Sequence, residues 1–156
     1  MWQPYPRTPR KFLQTKKRFE VEIKTSYASP YTLMHTILIV EDDEVLADVL
    51  QKKLELRGNK VFCIAQGDRA LAEVRGKNPD LVLLDINLPG KNGLQILSEL
   101  KQDEALKKIP VIVISNSGEK VEVEKIKELG AADHLVKANF VPEELLEKVN
   151  RFLEHH

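Results

Sequence analysis

Two short runs, Leu81-Val82-Leu83-Leu84 and Val111-Ile112-Val113-Ile114, are apolar at every position. A strand exposed on one face alternates apolar with polar residues. A run without alternation belongs to a strand covered on both faces, as in a parallel sheet layered by helices. From Thr36 onward, five strand-length segments (Thr36 to Val40, Lys60 to Ile64, Asp80 to Asp85, Pro110 to Ser115, His134 to Lys137) alternate with five segments of helical period. This pattern predicts an α/β domain with the two apolar runs at the centre of a five-stranded parallel sheet and helices on both faces. The first helix carries the stripe Val45, Leu46, Val49, Leu50 and Leu54 and stops at Gly58, a left-handed cap. The second carries Ala70, Leu71 and Val74 and is expected to stop in the same way at Gly76; the third carries Leu94, Leu97 and Leu100. The fourth, with Val123, Ile126 and Leu129, stops at Gly130, and the fifth starts at Pro142 and carries Leu145, Leu146, Val149, Phe152 and Leu153.

The 156 residues suit one such domain with a short remainder, and that remainder has a different character. Residues 1–33 carry seven basic side chains against Glu20 and Glu22, a balance of +5 that the following 123 residues offset with −5. They also hold four of the eight prolines and show no sustained period. The segment reads as a disordered basic extension or as an upstream-start artefact, with Met34 then the natural start. A nucleic-acid or acidic-membrane contact through Trp2, Tyr5 and Phe12 is the less favoured reading. No apolar run reaches bilayer length, so membrane insertion is not expected. Cys63 is the single cysteine, which excludes a disulfide framework within one chain and favours a reducing, cytoplasmic setting.

Right-handed crossovers leave few arrangements of five βα units, and one is the doubly wound, flavodoxin-like order 2-1-3-4-5. In such sheets ligands bind beyond the carboxyl ends of the strands. The strand ends here are Glu41-Asp42-Asp43, Asp85, Ser115 and Lys137, on four strands that are neighbours in that order. Clustered carboxylates need a cation among them, and an all-oxygen set suits a hard ion, Mg²⁺ above all. Asp85, ending the most apolar strand before a turn-rich loop, is the natural carboxylate nucleophile for a phosphoryl group. Ser115 would hydrogen-bond a phosphoryl oxygen, and Lys137 would neutralise charge. Singly, each residue has a plainer reading: a helix cap for Asp43, a turn for Asp85, a strand end for Ser115 and a solvated charge for Lys137. Their joint placement favours chemistry.

From about Met34 onward the chain resembles the receiver domain of two-component response regulators. The resemblance is carried by Ile37-Leu38-Ile39-Val40-Glu41-Asp42-Asp43, by Leu81 to Gly93 with Pro89 four residues after Asp85, by Pro110 to Ser115, and by Gly130 to Lys137. It implies a single-domain response regulator spanning residues 34–156, phosphorylated on Asp85 by a sensor histidine kinase or phosphotransfer protein. Asp42, Asp85 and the Asn87 backbone carbonyl would ligate Mg²⁺, and Glu41 would act through water. The implied protein is a phosphoacceptor rather than an enzyme, limited to its own phosphoryl transfer and slow autodephosphorylation. Ser115 would move inward with an aromatic residue on the fifth strand, altering the face of the fourth helix, fifth strand and fifth helix for an unknown downstream protein. His134, Lys137, Val123, Lys127 and Phe140 are candidates for that face, which is also available for a homodimer. No direct nucleic-acid or membrane binding is implied for this domain, and with the chain ending after the fifth helix, output is expected from its own surface.

Three departures bear on that resemblance. His134 occupies the position of the switch aromatic and is smaller than the Tyr or Phe usual there. Ala138 stands where the family has proline; a cis bond there would cost about 3 kcal/mol, so trans geometry or strain is expected. Asn116 replaces a small residue after Ser115 and, with Asn87 and Ser117, is expected to modulate acyl-phosphate lifetime. Other readings of the fold lose on particular residues. Acidic residues follow the first strand where a flavin phosphate loop or Gly-x-Gly-x-x-Gly would be needed, and Asn87 stands where a haloacid-dehalogenase-type phosphatase needs a second Asp. The remaining alternative is a receiver-like protein-binding module that is not phosphorylated.

Overall fold

The structure is a computed structural model and describes residues 34–155; the basic segment 1–33 lies outside the described residues, as do the readings placed on it. The strands are β1 (Thr36–Val40), β2 (Lys60–Ile64), β3 (Leu81–Asp85), β4 (Val111–Ser115) and β5 (Asp133–Val136). The helices are α1 (Glu44–Glu55), α2 (Ala70–Lys77), α3 (Gly93–Gln102), α4 (Lys120–Glu128) and α5 (Pro142–Leu153), with 3₁₀ turns at Gly67–Arg69 and Lys137–Asn139. All pairings are parallel and the strand order is β2-β1-β3-β4-β5, as the alternation predicts. Both apolar runs lie in the interior strands β3 and β4, where every residue is buried.

Alternate residues of β1, β3 and β4 feed opposite cores. Leu38, Val40, Val82 and Leu84 pack with Ala70, Ile96 and Ile126 beneath α2, α3 and α4. Ile37, Ile39, Leu81 and Leu83 pack with Leu50, Leu54, Leu145 and Val149 beneath α1 and α5. This two-sided burial is why the strand sequences do not alternate.

Two helix expectations need correction. α1 buries Ala47, Leu50 and Leu54, whereas Val45 is 76% exposed and Val49 is exposed as well. At 100° per residue Val45 sits about 170° away from the centre of the buried arc, so the core-facing stripe is narrower than the apolar pattern predicts. α2 does not stop at Gly76 but continues to Lys77, and its left-handed cap is Asn78 (φ 44°), whose N–H bonds the Val74 carbonyl. Pro79 disfavours right-handed helical geometry at Asn78, and asparagine tolerates the left-handed alternative. At α1 the chain does turn through the expected Gly58 (φ 85°), and Pro142 opens α5 as predicted. Strand β5 ends one residue before Lys137, which opens the following 3₁₀ turn. Among the described residues no peptide bond is cis, so Lys137–Ala138 is trans.

Candidate functional site

Parallel register brings the carboxyl ends of β1, β3, β4 and β5 to one edge of the sheet. Val40 pairs with Leu84, Asp85 with Ile114, and Ser115 with Val136, so Glu41, Asp85, Ser115 and Lys137 fall within a few residues' rise of one level. Among the described residues the buried polar or charged ones are Glu41 (2% exposed), Asp85 (0%) and Ser115 (0%). Burying a charge is costly unless it is paired, so their coincidence at one sheet edge marks a site rather than a packing accident.

The Lys137 ammonium supplies the pairing. It donates to Asp85 Oδ2 at 2.8 Å and to Glu41 Oε1 at 3.0 Å, joining residues 52 and 96 positions apart. Burial alone would lower the Lys137 pKa, but the hydrogen bonds and charges of Asp85 and Glu41 outweigh it and the net direction is upward. Glu41 moves the other way for an acid. Burial raises its carboxyl from 4.5 to about 7, against the lowering influence of the Asp43 N–H and Lys137, and the Asp85 charge adds to the rise.

Local chain geometry fixes each carboxylate. Glu41 is anchored at its backbone by the Ile64 carbonyl (3.0 Å) and at its side chain by the Asp43 N–H (3.0 Å). Asp43 itself caps α1, its Oδ1 accepting from the Val45 and Leu46 N–H groups at 3.0 Å, so the plain reading of that residue holds. Asp85 Oδ1 accepts from the Asn87 N–H at 2.9 Å. Sequence periodicity carries no sign of one further contributor, Gly93. A Cβ there would overlap the Asp85 carbonyl oxygen and lie 2.6 Å from Ile86 Cα, so the start of α3 seats directly on the Asp85–Ile86 backbone. The available cue was Asn92-Gly93 ahead of Leu94, since Asn92 Oδ1 caps α3 through the Gln95 N–H.

Asp42 is exposed at the mouth of this pocket, and one oxygen each from Glu41, Asp42 and Asp85 lies within 4.8 Å of the other two. Glu41 Oε2 stands 3.0 Å from the Lys137 ammonium, outside hydrogen-bond geometry, and is a buried oxygen with no hydrogen-bond partner. An unsatisfied buried oxygen beside two further carboxylates fits a hard divalent cation, the ion Mg²⁺ typifies. The predicted Ser115 does not point its hydroxyl's bond at Asp85: it donates to the Ser117 carbonyl at 2.6 Å, while Ser117 Oγ accepts from the Glu119 N–H at 3.1 Å. Asn87 and Asn116 are exposed, and Ser117 and His134 are half-buried. The His134 N–H bonds Asp133 Oδ1 (2.7 Å), whose other oxygen pairs with Lys148 (2.8 Å).

Known proteins resemble this chain in sequence and in fold. The chain is 36% identical over 125 residues to the DNA-binding response regulator MtrA of Mycolicibacterium smegmatis, covering 80% of this chain and 53% of MtrA. It thus spans about half the length of that relative. The BeF₃-activated receiver domain of RstA from Klebsiella pneumoniae superposes with a TM-score of 0.69 at 30% identity, covering 76% of this chain and 97% of that one. The Mn²⁺-bound form of response regulator Rcp1 gives 0.67 at 29% identity, covering 76% and 94%. With residues 37–150 matching the family model of the response regulator receiver domain, and the sheet order and acidic strand ends already in place, the chain belongs to that family.

Proposed function

We propose that this domain accepts a phosphoryl group on Asp85 from a sensor histidine kinase or a phosphotransfer protein and signals through the resulting surface change. The observation that carries the reading is the half-buried Lys137 ammonium shared by the buried carboxylates of Asp85 and Glu41 at the carboxyl edge of the sheet. An Asp85 carboxylate oxygen attacks phosphorus, a P–O bond forms, and the donor's P–N bond breaks with its electron pair returning to the imidazole. Lys137 is placed to hold negative charge that develops on the acceptor side. Asp42, Asp85 and the Asn87 carbonyl are the proposed direct ligands of Mg²⁺, with Glu41 reached through water; the Mn²⁺ in Rcp1 supports a divalent ion in this family. That ion would supply charge neutralisation at the phosphoryl oxygens.

For Ser115 the proposed role requires a change of partner. Its hydroxyl would leave the Ser117 carbonyl for a phosphoryl oxygen, releasing the β4–α4 loop, with His134 as the residue on β5 that responds. Asn116 and Ser117, on that loop, would set how water reaches the acyl phosphate. The domain is a signalling protein, and a cytoplasmic location goes with its proposed phosphodonor. Among the described residues no helix is long and apolar enough to cross a membrane. Incubation with Mg²⁺ and acetyl phosphate tests the reading: intact mass is expected to rise by one phosphoryl group in the wild type and not in Asp85→Ala. An unmodified wild type would instead favour a protein-binding module that works without phosphate.

A further inference from the structure

The loop 86–92, which carries Asn87, is held from within by Gly93. The Gly93 N–H bonds the Ile86 carbonyl at 2.9 Å, and its bare Cα seats on the Asp85 backbone. It is also held from outside, by a turn that contributes nothing to the acidic pocket. Gly67, first residue of the 3₁₀ turn after β2, is buried, and a Cβ there would overlap the Lys91 carbonyl oxygen and lie 3.1 Å from Ile96 Cδ1. Asp68 beside it lies over Gly90: a Cβ on Gly90, whose φ is +76°, would come within 2.6 Å of Asp68 Oδ2. Two successive residues of one turn therefore lie flat against two successive residues of the acceptor loop.

We infer that the turn Gly67–Asp68 is a brace that positions the acceptor loop, with Gly67 a positioning residue for phosphoryl acceptance at Asp85. The inference rests on the acceptor function proposed above. A methyl group at residue 67 must push the Lys91 carbonyl back on the order of 1 Å, because close-packed surroundings leave no free volume to take it up. Gly93 cannot follow that movement, since it is already in contact with the Asp85 carbonyl. The displacement is therefore absorbed between them and the start of the loop, in the stretch that holds Asn87. Misplacement of that size at a reacting centre costs up to about a hundredfold in rate.

The test compares the full chain as wild type, Gly67→Ala, Gly76→Ala and Leu153→Ala. A Cβ at Gly76 meets nothing within 4 Å, and Leu153 belongs to the core beneath α1 and α5, so these two control for the substitution and for general loss of stability. The readouts are Mg²⁺ affinity by titration and the rate of mass gain from acetyl phosphate, at a temperature where circular dichroism shows each protein folded. Gly67→Ala is expected to slow the gain about tenfold to a hundredfold and to weaken Mg²⁺, with both controls within about twofold of wild type. Wild-type rate and affinity in Gly67→Ala, or an equal loss in Leu153→Ala, overturns the brace. Should Gly67→Ala not fold, Asp68→Ala decides: Asp68 is exposed, and a rate about twofold to fivefold slower supports the brace while an unchanged rate overturns it. A wild type that gains no mass refutes the acceptor function separately, and the order of Mg²⁺ affinities then still judges the brace.

Discussion

Burial lifts the Glu41 carboxyl from 4.5 to about 7, so between those values the native protein holds a proton that the unfolded chain has released. The native state binds more protons in that interval, and stability attributable to Glu41 therefore falls as pH rises from about 4.5 to about 7, then stays level. Melting curves of the metal-free protein at pH 5 and pH 8 check this: Glu41→Gln is expected to remove that part of the slope and to melt higher than wild type at pH 8. An identical pH dependence in the two proteins would contradict the assignment. Little of this was readable in the sequence. Glu41-Asp42-Asp43 gives three acids in a row, and only their surroundings separate a buried, raised carboxyl from an exposed one and from a helix cap. Likewise Asp85 and Lys137 could be named from strand ends, but the commitment of Ser115 to Ser117 and of Gly67 to Lys91 depends on loop geometry that no period encodes.

At the scale of elements, the interior strands β3 and β4 were legible because burial on two faces writes itself into every position, and the helices less so because only part of each surface is covered. α1 illustrates the difference. Val45 and Val49 look apolar enough for the core yet face outward, while the small Ala47 is inside. Leu50→Ala is accordingly expected to cost about 2–5 kcal/mol, because it empties a fully enclosed space. Val45→Ala should fall within about 0.5 kcal/mol of wild type. Urea denaturation midpoints at constant slope measure both, and equal costs would mean that the apolar stripe does extend as far as Val45. The misplaced end of α2 has a similar origin: Gly76 and Asn78 both accept left-handed geometry, and the choice falls to Pro79, an effect of the next residue rather than of the cap itself.

Across the whole molecule, the apolar layers hold the sheet while its buried polar groups gather at one end of it. A ligand bound only by the native state at that end stabilises the entire fold. Mg²⁺ at a hundred times its dissociation constant is expected to add about 2.7 kcal/mol to unfolding at neutral pH. Asp42→Ala, which removes an exposed carboxylate from the cluster, should abolish most of that increment and of the titratable affinity. Unchanged metal-dependent melting in Asp42→Ala would displace it from the ligand set. The buried Glu41 oxygen that has no hydrogen-bond partner has a wider consequence. A library screened for heat tolerance without metal would reward neutral replacements there, and under the proposed function its winners would be robust proteins deaf to their input.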